Sequence, residues 1–95
     1  MEIEGVIIKD LGKRAGTSER GNWMIASYVI ETVEQYPKKI CFEVSGEDRI
    51  RRFNIIQGKR YKVYFDIASQ ESANGAWFTH VRAFDVREIS TPTII

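Results

Sequence analysis

Apolar and polar residues alternate in two stretches of this 95-residue chain, and a helical period stands between them. In residues 38–45 (KKICFEVS), Ile40, Phe42 and Val44 fall on one face and Lys39, Cys41 and Glu43 on the other. That two-residue repeat belongs to a half-buried strand. Immediately afterwards Ile50 and Phe53 stand three apart, separated by Arg51 and Arg52, which is helical spacing. The preceding Ser45-Gly46-Glu47-Asp48 has the form of a capping box, with Ser45 as N-cap and Asp48 three residues on. A helix of about two turns is predicted over 46–54, ending near Asn54 and before Gly58. Residues 59–69 (KRYKVYFDIAS) resume the strand period, with Tyr61, Val63, Phe65 and Ile67 on one face.

Two strands are predicted ahead of these, over 2–10 and 23–32, and Gly5 inside the first marks a bend or bulge. A last strand over 77–88 follows the hairpin signal Asn74-Gly75. Residues 11–22 (LGKRAGTSERGN), with three glycines and three basic residues, read as a polar loop. The order is three strands, a helix and two strands. It predicts an all-β domain over 1–88, a five-stranded OB-fold barrel with a short helix between strands 3 and 4. A small SH3-like barrel or an open meander gives no account of the helix at that place. Residues 89–95, containing Pro92, are expected to form a flexible C-terminal tail.

Composition removes several classes of function. Hydrophobic residues make up 43% and charged residues 28%, enough to fold one core and too apolar for a disordered chain. Net charge is +1, so attraction to nucleic acid would have to come from a local basic face. The single cysteine, Cys41, allows no intrachain disulfide and fits a reducing cytoplasmic setting. No apolar run approaches a membrane span, so no membrane partner is expected. His80 is the sole histidine and lies on a different predicted strand from Cys41. With no H-x-E, C-x-x-C or P-loop pattern, neither enzyme chemistry nor a metal nor a cofactor is expected. Glu2 and Glu4 share a face but read as solvated strand residues.

The last strand carries the most specific signal. With Thr79, Val81 and Ala83 inward, Phe78, His80, Arg82 and Phe84 share the outer face. That is the composition of a base-stacking platform. The opposite parity would put Phe78, Phe84 and Val86 in the core. In strand two, inward Tyr28 and Ile30 leave Trp23, Ile25, Ser27 and Val29 outside, where Trp23 either stacks or closes the barrel mouth. Trp77 stands at the last hairpin. Lys13, Arg14 and Arg20 in the first loop, with Lys38 and Lys39 opening strand three, are expected to line one groove. Arg49, Arg51 and Arg52 on the helix are expected to face water.

The segments RGNWMIASYVIET, YPKKICFEVSG and NGAWFTHVRAFDV resemble a bacterial and phage family of small OB-fold proteins of formally unknown function, related to single-stranded DNA-binding proteins. The resemblance spans residues 1–88. It implies an OB-fold and binding of single-stranded DNA along strands two, three and five, with Tyr36 and Lys38/Lys39 opening the third and Phe78-Thr79 in the last. Where that family usually has a tryptophan this chain has Ser45, its helix is unusually arginine-rich, and the acidic tail with an aromatic tip that recruits replication partners gives way to STPTII. The expectation is a non-catalytic, homo-oligomeric single-stranded DNA-binding protein of a phage or mobile element, acting in DNA replication with little sequence preference. The alternative is a structural or protein-interaction OB domain whose exposed aromatics form an oligomer or partner interface. RNA on the same face is a third reading.

Overall fold

The computed structural model describes residues 1–89; the expected tail otherwise lies outside the described residues. Five strands and one helix follow in the order β1 (Glu2–Ser18), β2 (Gly21–Thr32), β3 (Lys39–Ser45), α1 (Glu47–Phe53), β4 (Arg60–Glu71) and β5 (Trp77–Glu88). The fold is all-β, with five strands in one sheet and the helix between β3 and β4. β1 pairs antiparallel with β2 and β4, β2 with β3, and β4 with β5. β3 meets β5 in parallel at Glu43 and Arg82. The order is therefore β1-β2-β3-β5-β4, and β4 returns to β1, so every strand has a neighbour on both sides.

The alternating residues meet inside this circuit. Ile7 of β1, Ala26, Tyr28 and Ile30 of β2, Phe42 and Val44 of β3, Tyr61 and Val63 of β4 and Ala83 of β5 are buried together. Ile50 of α1 and Ile55 just after it join them, and Phe53 packs on the rim. Tyr28 and Phe42 stack with ring centroids 5.6 Å apart. The Tyr61 hydroxyl accepts from the Ile56 N–H at 2.9 Å, which satisfies the polar end of a buried ring. Gly5 lies tight against β2: a Cβ there would lie 2.1 Å from the Glu31 carbonyl oxygen.

Three expectations are corrected. Residues 11–22 are not a loop. β1 runs on to Ser18 and pairs with β2 down to Ser18↔Gly21, leaving only Glu19 and Arg20 as the turn. This first arm is wet on both faces, so burial imposes no alternation on its sequence. The pairing also slips between Ile7 and Lys9 and between Asp10 and Lys13, which breaks the period further. At the second slip Asp10 Oδ1 accepts the Gly12 N–H at 2.8 Å. Ser45 is not the N-cap. It is the last ladder residue of β3, opposite Ile25, and Gly46 makes the turn with φ 100° and its N–H on the Met24 carbonyl at 2.9 Å. α1 does end as expected, at a left-handed Asn54 whose N–H donates to the Ile50 carbonyl at 3.2 Å. Ile67 keeps the inward parity of β4 but lies beyond the core and is exposed. β4 and β5 continue past it as a second arm, paired out to Glu71↔Trp77 around the expected Asn74-Gly75 turn. The arms make the molecule long, with extents of 55 × 29 × 20 Å.

Candidate nucleic-acid interface

The outer face of β2 and β3 follows from their register. Ile25 pairs with Ser45, Ser27 with Glu43, Val29 with Cys41 and Glu31 with Lys39. Because Phe42 and Val44 are buried, Lys39, Cys41 and Glu43 face out. Arg14 pairs with Ile25 and joins this face, whereas Lys13 pairs with the buried Ala26 and takes the opposite face of the first arm. Arg20 stands exposed at the arm's tip.

β5 brings His80 and Arg82 to the same place, and the link is Glu43. Its Oε1 lies 3.0 Å from His80 Nδ1 and its Oε2 lies 3.5 Å from Arg14 Nη2. With its side chain 18% exposed, Glu43 ties the first arm, β3 and β5 together at the middle of the face. Arg14 and Glu43 cancel, so the centre of the face carries net positive charge from Arg82, and from His80 only when it is protonated.

The aromatics occupy the two arms. Trp23, 43% exposed, lies opposite Gly16 at the root of β2, beside a groove of about 580 Å³. Phe78, 55% exposed, shares the parity of His80 and Arg82 on the second arm, while Val81 and Ala83 pack inward. Trp77 is exposed too, but the neighbouring position puts it on the other face of that arm. Thr79 has inward parity and is nonetheless exposed, its hydroxyl 3.0 Å from that of Ser69, because the arm has left the core. Since β5 runs parallel to β3, the second arm projects toward the Lys39 end of β3. The tip of the first arm lies beyond the Ser45 end. The two arms thus flank the β2–β3 face from opposite ends, which are about 20 Å apart along β3.

Phe84 belongs elsewhere. Tyr64 pairs with Asp85 and Phe65 with Ala83, so Phe84 is the extra residue of a bulge. It is 45% exposed, and its ring leans toward β4, 6.4 Å from that of Tyr64. Lys62 Nζ and the Arg87 guanidinium lie 5.7 and 5.5 Å from the Tyr64 ring. Sequence reasoning passed over Tyr64, although its place between inward Val63 and Phe65 already put it on the outer face. The expected single basic groove is likewise divided. Lys39 opens the β3 face opposite Glu31, while Lys38 precedes the strand, with Nζ 4.0 Å from Glu34 and its N–H on Thr32 Oγ1 at 2.8 Å. On α1, Arg51 pairs with Glu47 at 2.7 Å and Arg52 lies 5.2 Å from the Phe53 ring.

Among the described residues, no three His, Cys, Asp or Glu side chains are grouped to hold a metal ion, and no helix is long and apolar enough to cross a membrane. No curated protein matches the chain. A family described as Domain of unknown function (DUF3127) matches residues 2–87, a stretch that contains both arms and all of the strand circuit but the last residue of β5. The match covers nearly the whole five-stranded, two-armed domain described above, and the chain belongs to this family.

Proposed function

We propose that this domain is an OB-fold barrel that binds single-stranded DNA and catalyses nothing. The element order, the return of β4 to β1, the parallel meeting of β3 and β5 and the helix between β3 and β4 all fit that fold. The observation that carries the function is the placement of Trp23 and Phe78. Both rings are exposed, one on each arm, at either end of a strand face bearing Arg14, Lys39, His80 and Arg82. In this reading the rings stack on bases and the cations meet phosphates, the arrangement of a sequence-tolerant single-strand binder. A net charge of +1 supplies little long-range attraction, so stacking carries much of the affinity. A cytoplasmic protein that coats single strands during replication of a mobile element is the setting this chemistry suits.

The test is titration with oligo-dT, a duplex of matched length and the corresponding RNA at low salt. Oligo-dT is expected to bind and to quench indole emission, with duplex much weaker; flat emission and no complex with any single strand overturn the reading. Tyr64 and Phe84 favour a second role on another face. Their flanking cations are already paired, Lys62 with Glu2 at 3.5 Å and Arg87 with Asp85 at 3.3 Å, so that patch suits a protein surface, such as a second copy of this chain, better than phosphates. Light scattering on Phe84→Ala tests it: a fall in mass with oligo-dT affinity intact supports a self-association face, and an unchanged mass removes it.

A further inference from the structure

Gly16 and Trp23 face each other across the first arm. A Cβ placed on Gly16 would lie 2.5 Å from Trp23 Cζ2, 2.7 Å from Cε2 and 3.0 Å from Nε1. The indole therefore rests directly on the glycine backbone. Gly16 has no positive φ, so its backbone makes no demand for glycine, and the ring is what requires it. One side of the indole is spent on this contact, and the side chain remains 43% exposed.

The groove of about 580 Å³ beside it is lined by Trp23, Met24, Thr17, Asn22, Ser45 and Glu47, together with small residues. No lysine or arginine lines it. A phosphate entering would find no free cation, because Arg51 on the helix is already taken by the Glu47 carboxylate at 2.7 Å and the lining adds no other positive charge. Trp23 and Gly16 stand on one face of the arm and Met24, Thr17 and Asn22 on the other, so the groove follows the open edge of β2 past Ser45, with an aromatic wall on one side of that edge and uncharged hydrogen-bonding groups and a thioether on the other. Thr17 Oγ1 holds Asn22 Oδ1 at 3.1 Å, which fixes the amide and turns its NH2 away from the threonine. An apolar wall with a few fixed polar groups is the environment of a flat, uncharged heterocycle.

We propose that this groove is a subsite for one nucleobase of the bound strand, and that Gly16 is a positioning residue that seats the Trp23 indole as its wall. The proposal rests on the single-strand reading and names what that reading leaves open, the groove that receives a base and the residue that orients its stacking ring. The experiment is a double-mutant cycle of Gly16→Ala and Trp23→Ala, read with oligo-dT and with an abasic strand of equal length, which keeps the phosphates and lacks the bases. Gly16→Ala is expected to lower oligo-dT affinity about tenfold, to shift the emission of the free protein, and to cost nothing further once Trp23 is already alanine. Neither substitution should change binding of the abasic strand. The proposal is overturned if Gly16→Ala weakens the abasic strand equally, or costs as much in the Trp23→Ala background. Should wild type bind oligo-dT and both variants bind it equally well, the subsite fails while the single-strand reading stands. Binding of no strand by wild type defeats both. If Gly16→Ala does not fold, Asn22→Ala replaces it: a loss confined to oligo-dT supports the groove, and unchanged affinity overturns it.

Discussion

Glu43 is an acid at the middle of a face proposed to meet an anion. It holds His80 at 3.0 Å and Arg14 at 3.5 Å, so an arriving phosphate must compete with it for both. Glu43→Gln keeps the shape and an accepting oxygen and removes the charge. It is expected to raise oligo-dT affinity by about fivefold, or about 1 kcal/mol, because Arg14 is largely exposed and screening limits the pair. A fall in affinity would mean instead that Glu43 serves to hold Arg14 and His80 in place. Tyr28 gives a pH dependence. Burial first, then the charge of Asp10 and the neighbouring Tyr61, raises its phenol above the ordinary 10.0. The unfolded chain thus loses this proton before the folded one, and the stabilising contribution, complete below pH 10.0, is lost as pH climbs toward the raised folded value. Melting curves of Tyr28→Phe should show a shallower alkaline decline than wild type. Truncations should separate core from surface: Phe42→Ala is expected to cost about 3–5 kcal/mol in urea unfolding, and Phe84→Ala about 1 kcal/mol, the scale of its aromatic pairing with Tyr64.

Elements were legible in the sequence where one face is dry. Ile40, Phe42 and Val44, and Tyr61 and Val63, announce their strands because water on one side and core on the other force alternation. Both arms have lost that constraint. Residues 13–18 form strand through ladder pairing without a buried face, and Ile67 keeps its parity without being buried. The extra residue at Phe84 has no mark in the sequence either, since nothing local distinguishes it from its neighbours. Parity therefore offered outward positions for Trp23, Phe78, His80 and Arg82 while leaving the opposite facing open, and it gave no sign of the transfer of Phe84 to the Tyr64 patch. The same contrast predicts dynamics. Amide exchange should be slowest at Ala26–Ile30, whose inward side chains are buried, and fast at Thr17, Asn22 and Ser69, where the ladder stands in water.

Across the whole molecule the charges nearly balance, and what matters is where the cations of the proposed path stand. Arg14, Arg20, Lys39 and Arg82 lie on or beside the β2–β3 face. If each meets one phosphate, the log–log dependence of oligo-dT affinity on salt should have a slope of about −3, from about −0.7 per contact. A slope near zero would remove phosphates from the account. The strand circuit has its own asymmetry. β1–β2, β1–β4, β2–β3 and β4–β5 are joined along runs of paired residues, while β3 and β5 share the single ladder pair Glu43↔Arg82, backed by the Glu43–His80 contact at 3.0 Å and by the buried Phe42, Val44 and Ala83. Undone there, the chain would lie as β3-β2-β1-β4-β5, an antiparallel ribbon with every other junction intact. The molecule is in effect a bracelet with one clasp, and the clasp lies under the path proposed for the DNA. A strand laid from β3 to β5 along that proposed path would hold it shut from outside, and heating the protein with and without oligo-dT is expected to show the seam opening later when the strand is bound.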